Sequence, residues 1–484
     1  MSHYALETGH AGVHAMGGLV LERIARFVDG LAERPADNVV STSATASLVQ
    51  SFLAPPPESG RDLMTLLGCL DDAVDCAVET AGPGFLTAVP GGGLYSSALG
   101  EFYARATNRY GSLAVAAPAL AALEESVVQW MAREVCGLPE GSGGLLTSGG
   151  SMANFTAVVA ARQDGLGDDI GDGTIYTTRY THHSVAKAAR LAGIKLGNVR
   201  MVPCDEDLKM DPAAAAAMIH ADRVAGLRPF LIVGSAGTTD TGTVDPLNAL
   251  ADLAEREQMW FHVDGAYGGF FRLTDRGRQT LAGLERADSV TLDPHKTLFL
   301  PFGTGALVVR DPATLRAAHS GSGSYLQDVS SYDGLPDYAD MGLELSHEVR
   351  GLRIWLPLHL HGVAAFREAL DEKLDLARQV HEHLTALPAL EVPLRPDLST
   401  VVFRVRPHDT TEAAAEAADQ ATRRLLDGVN ASRRVLLHST MLDGRLTIRV
   451  CVVSYRTHKD HIDKLLELIA SEARRLGPAS RTDG

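Results

Sequence analysis

The chain has 484 residues, of which 45% are apolar and 21% are charged. Both fractions are typical of globular proteins and argue against a disordered or fibrous chain, and the length predicts about two to four domains. Lys and Arg number 44 against 60 Asp and Glu, a formal net charge of −16. This charge argues against nucleic acid or an anionic membrane surface as the partner.

Cysteine content and the N-terminus bear on the compartment. There are five cysteines, an odd number, and none forms a C-x-x-C pair. This pattern predicts reduced thiols rather than a disulfide framework or a zinc site. The N-terminus lacks a basic cluster followed by an apolar core, and the apolar stretches are too short to span a bilayer. We therefore predict a cytoplasmic protein with no membrane partner.

The first region, residues 1–85, is expected to be helical. Leu19, Ile24, Phe27 and Leu31 recur near helical spacing, and three prolines at 55–57 interrupt the pattern.

The second region, residues 86–345, alternates helical and strand patterns. Such alternation predicts a mainly parallel sheet covered by helices on both faces, which is an α/β fold. The predicted helices are 120–136, 151–162 and 185–192, and the predicted strands are 173–178, 230–234, 260–263, 289–292 and 305–309.

A stretch rich in Gly, Ser, Tyr and Asp, residues 320–341, has little hydrophobic periodicity. Its length within a compact domain favours a functional lid. The third region, residues 346–484, is predicted to be a small α+β domain. Its helices are expected at 345–361, 363–384, 411–426 and 459–476, and its strands at 400–405 and 446–453.

Three segments carry chemistry. Residues 147–154, Thr-Ser-Gly-Gly-Ser-Met-Ala-Asn, open a helix with small residues, so free backbone N–H groups there suit a phosphate. Asp264 ends an apolar strand, and because ligands of parallel sheets lie at that edge, it is expected to face a crevice. Lys296 follows another strand end in Asp-Pro-His-Lys and suits an amine nucleophile. Taken singly, each segment also fits an ordinary cap, turn or surface lysine.

Taken together and in this order, the segments are much more specific. The chain from about Gly82 to Leu476 resembles the pyridoxal-phosphate-dependent amino acid decarboxylases, the group that includes aromatic amino acid, glutamate and histidine decarboxylases. The resemblance extends to Thr181-His182-His183-Ser184-Val185, Gly237-Thr238-Thr239 and Asp264-Gly265-Ala266-Tyr267. It implies a large domain of the pyridoxal-phosphate transferase type (fold type I) with a seven-stranded sheet. It also implies a homodimer that shares its active sites across the interface, with the N-terminal segment in dimerisation.

The resemblance further implies a role for each matching residue. Lys296 holds the cofactor covalently, Asp264 pairs with the pyridine nitrogen, and His182 stacks on the ring. The residues implied to bind the phosphate are Gly150, Ser151 and His295, and those implied to line the ring are Thr238 and Ala266. His183, Thr239 and Asp293 are equally compatible with shaping the pocket walls.

The lid resembles a mobile loop that, in the family, reaches into the partner's site with a tyrosine that protonates the substrate carbon. Tyr338 is the nearest match, and Tyr332 competes with it. A tyrosine at either position favours decarboxylation over oxidative aldehyde formation.

The expected function is decarboxylation of an L-amino acid, apolar aliphatic or aromatic, to its amine and carbon dioxide. Leu86, Ala88 and Val89 stand where several aromatic relatives have bulky aromatic residues, so the pocket lining is expected to differ. Alternatives on the same scaffold are an aldehyde synthase, a carbon–carbon lyase or an aminotransferase. A nucleotide-binding oxidoreductase is disfavoured because no G-x-G-x-x-G fingerprint is present, and a catalytically dead interaction protein is disfavoured by Lys296, Asp264 and His182.

Overall fold

The computed structural model describes residues 6–39, 43–321 and 332–475. Its helices are α1 (His10–Gly30), α2 (Ser43–Leu53), α3 (Leu63–Asp75), α4 (Tyr95–Thr107), α5 (Pro118–Trp130), α6 (Gly150–Leu166), α7 (Ser184–Leu191), α8 (Pro212–Val224), α9 (Leu247–Glu257), α10 (Asp275–Thr280), α11 (Pro294–Thr297), α12 (Pro312–His319), α13 (Leu352–Thr385), α14 (Glu412–Ala431) and α15 (Lys459–Arg475). No helix among these residues is long and apolar enough to cross a membrane.

A seven-stranded sheet forms the centre of the large domain. Its strands are β1 (Gly143–Thr147), β2 (Gly173–Thr177), β3 (Val199–Met201), β4 (Arg228–Ser235), β5 (Trp260–Asp264), β6 (Ser289–Leu292) and β7 (Gly305–Val309). The spatial order is β1-β7-β6-β5-β4-β2-β3, and β7 alone runs antiparallel to its neighbours. The fully buried β1, β2, β5, β6 and β7 confirm the prediction of a sheet covered on both faces.

Strand β1 was not among the predicted strands, because its two glycines hide the strand pattern. Gly144 has a structural reason: a Cβ there would lie 2.0 Å from the Leu307 carbonyl oxygen of β7. The strand leads directly into α6, so its position sets where the Gly-rich turn presents its backbone.

A four-stranded antiparallel sheet forms the small domain. It contains β8 (Leu390–Glu391), β9 (Thr400–Val405), β10 (His438–Leu442) and β11 (Arg445–Cys451), in the order β10-β11-β9-β8. Helix α13 is shared between two cores, since Ile354 and Leu370 pack with the large domain and Val380 and Leu384 with the small one. The domain boundaries at 85 and 345 stay predictions.

Most predicted elements are present, with ends shifted by a few residues. Gly362, which has a φ of 75°, interrupts α13 between the two helical stretches that the sequence predicts there. Residues 345–351 were predicted to be helical, but the helix begins at Leu352. Arg350, near the end of this stretch, is instead a buried side chain that pairs with Glu344.

The close approach at Gly144 makes a testable prediction for β1. Gly144→Ala places a methyl group against the Leu307 carbonyl, so we expect a loss of about 1–3 kcal/mol in the free energy of unfolding, measured by chemical denaturation. Gly60→Ala is the control, because nothing lies within 4 Å of a Cβ there. Equal stability of the two variants would show that the sheet relaxes around the added group.

Candidate active site

The carboxyl ends of β4, β5 and β6 meet the turn between β1 and α6 at one edge of the large sheet. A cavity of about 410 Å³ opens at this edge. It is lined by residues from these elements and from the segments around Val89 and His182. Eight of the predicted site residues lie together in this lining: Gly150, Ser151, His182, Thr238, Asp264, Ala266, His295 and Lys296.

The turn before α6 has the form of an anion cradle. Gly149 is the N-cap, and no side chain caps the helix. The helix N-terminus therefore presents uncapped backbone N–H groups to the cavity, where the helix dipole favours an anion. A Cβ at Gly150 would lie 2.7 Å from Asp293 Oδ2, so the backbone there passes close to the cavity wall. His295 also borders the cavity, and its Nδ1 donates to the Thr304 carbonyl at 2.6 Å.

Lys296 lies in α11, the single turn that follows β6. Its Nζ lies 2.9 Å from Oδ2 of Asp293, whose side chain is almost fully buried. The other oxygen, Asp293 Oδ1, is buried and has no hydrogen-bond partner among the described residues. Gly91 donates its N–H to the carbonyl of His295 at 3.1 Å and closes this side of the cavity. The amine of Lys296 is thus presented to the cavity beside a carboxylate.

Asp264, the last residue of β5, is only 8% exposed. Its Oδ2 accepts a hydrogen bond from Asn154 Nδ2 at 2.9 Å, and its Oδ1 accepts one from the Ala266 N–H at 3.1 Å. Both bonds come from neutral donors. A cationic group in the cavity is therefore the counter-charge that this carboxylate lacks.

His182 lies in the turn that leads into α7. Its Nδ1 is 2.7 Å from Ser184 Oγ, and its ring centroid is 4.3 Å from that of His183. Burial lowers the pKa of His182 below its ordinary value, with Asp264 opposing this effect. The imidazole is therefore neutral near pH 7 and offers an uncharged face to the cavity.

Tyr338, predicted as the catalytic lid tyrosine, does not line this cavity, and its role at the partner's site stays a prediction. Its side chain is 2% exposed, and its hydroxyl donates to Glu125 Oε2 at 3.0 Å. It packs in the core cluster with Leu145 and Met341. Burial, with help from the two neighbouring glutamates, raises its pKa well above the ordinary value. In the described chain this hydroxyl is therefore enclosed and bound to Glu125.

The rest of the lid prediction falls partly outside the described residues, which omit 322–331. Tyr325 belongs to that part. Tyr332, the competing candidate, is described and is 46% exposed. The described structure therefore leaves Tyr332 accessible and Tyr338 enclosed.

Sequence reasoning missed the part played by Asn154. The residue was included in the motif after β1, but no role followed from its type. It lies one helical turn after Gly150, which places its amide on the same face of α6 as the anion cradle. That spacing is the signal that could have indicated it.

The family is shown by comparison with known proteins. Residues 50–406 match the model described as the pyridoxal-dependent decarboxylase conserved domain. The chain is 32% identical over 460 residues to an aromatic-L-amino-acid decarboxylase of Bacillus atrophaeus, covering 95% of each chain. It belongs to the pyridoxal-dependent decarboxylase family.

Two further comparisons agree. The crystal structure of Oryza sativa TDC with PLP and tryptamine superposes with a TM-score of 0.91 at 26% identity, over 98% of this chain and 100% of that one. A phenylacetaldehyde synthase of Arabidopsis thaliana is 28% identical over 94% of this chain and 95% of its own. The protein is a pyridoxal-phosphate-dependent amino acid decarboxylase of fold type I.

The residues present fit pyridoxal phosphate. The uncapped start of α6 suits its phosphate, the buried Asp264 carboxylate suits its ring nitrogen, and Lys296 provides the amine. The unpartnered Asp293 Oδ1 also lies in the wall of the cavity.

Buried His262, two residues before Asp264 in β5, makes stability depend on pH. Burial lowers its pKa to about 4. Because this folded-state value is below that of the unfolded chain, the folded state binds fewer protons between about pH 4 and 6.5, and stability is lost as the pH falls through that window. Over this pH range, we expect the free energy of unfolding of the wild type to fall by up to about 3 kcal/mol more than that of His262→Gln.

Denaturant unfolding of both proteins at a series of pH values measures this difference. Parallel pH profiles for the wild type and His262→Gln would contradict the prediction.

Proposed function

We propose that this decarboxylase acts on an aromatic L-amino acid and releases the corresponding amine. The observation that carries the proposal is the similarity over nearly the whole chain to an aromatic-L-amino-acid decarboxylase. The cavity supports it, because Val89, Met152, Ala266 and Tyr267 provide apolar lining next to Lys296.

The charged residues around the cavity also favour a substrate whose side chain is uncharged. The described lining contains no arginine. Three arginines of the chain are engaged elsewhere: Arg105 and Arg353 pair with Glu348, and Arg350 pairs with Glu344. A substrate with a side-chain carboxylate would therefore meet no unpaired cation among these three arginines.

Lys296, Asp264 and His182 have the following proposed roles. Lys296 would hold the cofactor covalently through its side-chain amine. Asp264 would keep a proton on the ring nitrogen through its negative charge. When bound, pyridoxal phosphate supplies an electron sink for the electrons left by departing carbon dioxide. His182, whose imidazole is neutral and half-buried, would cover the ring face and shield it from water.

The phosphate is proposed to bind at the start of α6. Gly150 and Ser151 would donate backbone N–H groups, and His295 would contribute from the opposite wall. Thr238 and Ala266 would line the ring. Thr238 is held in place by a 2.8 Å hydrogen bond to Thr241.

A homodimer is proposed because the N-terminal helices α1 and α3 bury none of their described residues within the chain. Both helices instead expose apolar side chains, among them Leu21 and Val13 in α1 and Leu70 and Val74 in α3. Exposed apolar surface of this extent is typical of an interface with a second copy. The N-terminal segment would then dimerise and bring a partner residue to each site.

A cytoplasmic location is proposed as well. All five cysteines are described and free of disulfides, and Cys136 and Cys451 are buried. Free thiols are typical of a reducing compartment.

The proposed function is tested by incubating the purified enzyme, loaded with pyridoxal phosphate, with each standard L-amino acid and identifying products by mass spectrometry. We expect aromatic amino acids to give the amine at the highest rate. Lys296→Ala should abolish turnover, since the amine that binds the cofactor is gone. Borohydride should attach the cofactor to the Lys296 peptide alone, whereas labelling of another lysine would refute the assignment.

An aldehyde synthase is the second candidate, because the phenylacetaldehyde synthase of Arabidopsis thaliana is similar over the whole length. The same product analysis separates the two. Aldehyde formed with consumption of oxygen, in place of amine, would assign the second candidate.

The proton donor is tested with three Tyr→Phe variants in the stretch 320–341. We expect Tyr338→Phe to keep the amine as product, because its hydroxyl is bound to Glu125. Tyr332→Phe or Tyr325→Phe should slow amine release and divert product to aldehyde. Unchanged products from all three and from the triple variant would reject a tyrosine donor from this stretch.

A complementation experiment tests the shared site. The variant that diverts the product is mixed with Lys296→Ala under conditions that exchange subunits. A hybrid dimer has one site with both an intact lysine and an intact partner tyrosine, so part of the amine formation should return. No return, with exchange demonstrated by light scattering or native mass spectrometry, would place both residues in the same subunit.

A further inference from the structure

A chain of hydrogen bonds between buried side chains leads from Trp260 to Asp264 at the cavity wall. Trp260, His262 and Asp264 alternate along β5 and share one face, as the two-residue period of a strand requires. Ser289 and Thr291 of β6 pair directly with His262 and Asp264 in the sheet register.

Each link in this chain is short. Trp260 Nε1 lies 2.8 Å from Ser289 Oγ, and Ser289 Oγ lies 2.8 Å from His262 Nδ1. His262 Nε2 then lies 3.0 Å from Asn154 Oδ1, and Asn154 Nδ2 lies 2.9 Å from Asp264 Oδ2.

The tryptophan end is compatible with one direction of the chain. The indole N–H of Trp260 donates to Ser289 Oγ, which keeps its own proton available for His262 Nδ1. The amide oxygen of Asn154 only accepts, so the neutral imidazole of His262 carries its proton on Nε2 and its Nδ1 accepts from Ser289. Thr291 also donates to that oxygen, at 2.7 Å.

The aspartate end imposes the same direction. A carboxylate only accepts, so Asp264 requires the NH₂ group of Asn154 to face it. A flipped amide would set its oxygen against the carboxylate and its NH₂ against two donors. The carboxylate end therefore selects one orientation of the Asn154 amide, in which Oδ1 faces the donors His262 Nε2 and Thr291 Oγ1.

The second amide hydrogen extends the chain to the cavity. Asn154 Nδ2 donates to Ser184 Oγ at 2.9 Å, and Ser184 Oγ lies 2.7 Å from His182 Nδ1. The Ser184 backbone N–H also points to this nitrogen, at 3.3 Å. Since both groups donate to Nδ1, His182 carries its proton on Nε2.

We propose that Asn154 is a positioning residue that holds Asp264 and His182 in register with one another, and that His262 fixes the orientation of its amide. One amide group thereby sets both the carboxylate assigned to the ring nitrogen and the tautomer of the imidazole assigned to the ring face. The inference rests on the proposed role of Asp264. The titratable groups that face position 154 are Asp264, His262 and, through Ser184, His182.

The main test is a double-mutant cycle on the affinity for pyridoxal phosphate, measured by equilibrium dialysis of the full chain. Asn154→Leu keeps the shape and removes the amide, so we expect the affinity to fall about ten- to a hundredfold. His262→Leu should weaken binding less. Because His262 acts through Asn154, the double variant should match Asn154→Leu within about twofold. Effects that multiply independently would overturn the proposal.

Asn430→Leu is the matched control for loss of an amide. The Asn430 amide makes two 2.9 Å hydrogen bonds to the backbone of Leu437 in the small domain, and neither residue lines the cavity. We expect this variant to lose stability while it keeps its affinity for the cofactor. Weakening as large as that of Asn154→Leu would mean that the readout reports general destabilisation, and would overturn the proposal.

A second variant tests the donated hydrogen bond and keeps the proposal falsifiable if Asn154→Leu fails to fold. Asn154→Asp has the same shape, but its carboxyl donates to Asp264 only when it holds a proton. Two adjacent carboxylates favour such a shared proton at low pH. The affinity of Asn154→Asp relative to wild type should therefore recover as the pH falls from 8 toward 6. A constant ratio would overturn the proposal.

The tautomer of His182 provides a readout without cofactor. Nitrogen NMR of histidine-labelled protein, assigned with His182→Gln, should show a protonated Nε2 and an unprotonated Nδ1. The opposite tautomer would overturn the hydrogen-bond direction. Asp264→Asn distinguishes the proposed role of Asp264 from that of Asn154. Normal affinity and turnover of Asp264→Asn would reject the proposed role of Asp264. An impaired Asp264→Asn together with an additive double-mutant cycle would reject the role of Asn154 alone.

Discussion

A negative charge buried at the end of a central strand is the constraint on which this structure depends. Asp264 is 8% exposed, and its described partners are a neutral amide and a backbone N–H. A carboxylate in such a place is costly unless a cation joins it and its remaining lone pairs are satisfied. The sheet, the helix that follows β1 and the neighbouring strand all contribute groups that meet this demand.

The sheet topology explains how these groups come together. Ser235, Asp264 and Thr291 are neighbours in the register of β4, β5 and β6, so three chain segments end at the same edge. Helix α6 crosses this edge because β1 joins the sheet through the antiparallel β7. The anion cradle and the carboxylate thus border one cavity, which suits a molecule that carries both a phosphate and a basic ring nitrogen.

Polar residues on the helix-facing side of β5 and β6 are unusual for strands this deeply buried. Here they are paired with one another, from Trp260 through His262 to Asn154, rather than with water. Such a network is tolerated in a core when each member has a partner. The network holds the side chains of β5, β6 and α6 that border the site in fixed positions. The predicted lid, residues 320–341, is only partly within the described ranges.

The local elements follow from the sequence by itself. Apolar runs, Gly and Pro positions and helical periodicity predicted five of the seven strands of the large sheet and the helices α5, α6 and α7, because these signals act within a few residues. The ordered motifs around Gly150, Asp264 and Lys296 also pointed to the cofactor, since each carries a recognisable strand-end or helix-start pattern. The helical break at Gly362 was equally visible as a gap between two periodic stretches.

Tertiary structure alone decided the rest. Strand β1 was hidden by glycines whose purpose, contact with the backbone of β7, exists only in the folded sheet. Tyr338 matched a lid pattern, but packing against Glu125 encloses its hydroxyl. The residue type of Asn154 predicted no role. Its importance arises from hydrogen bonds to Asp264 and His262, which lie 110 and 108 positions away in the chain. Burial and hydrogen-bond partners are properties of contacts between distant segments, and a local pattern does not contain them.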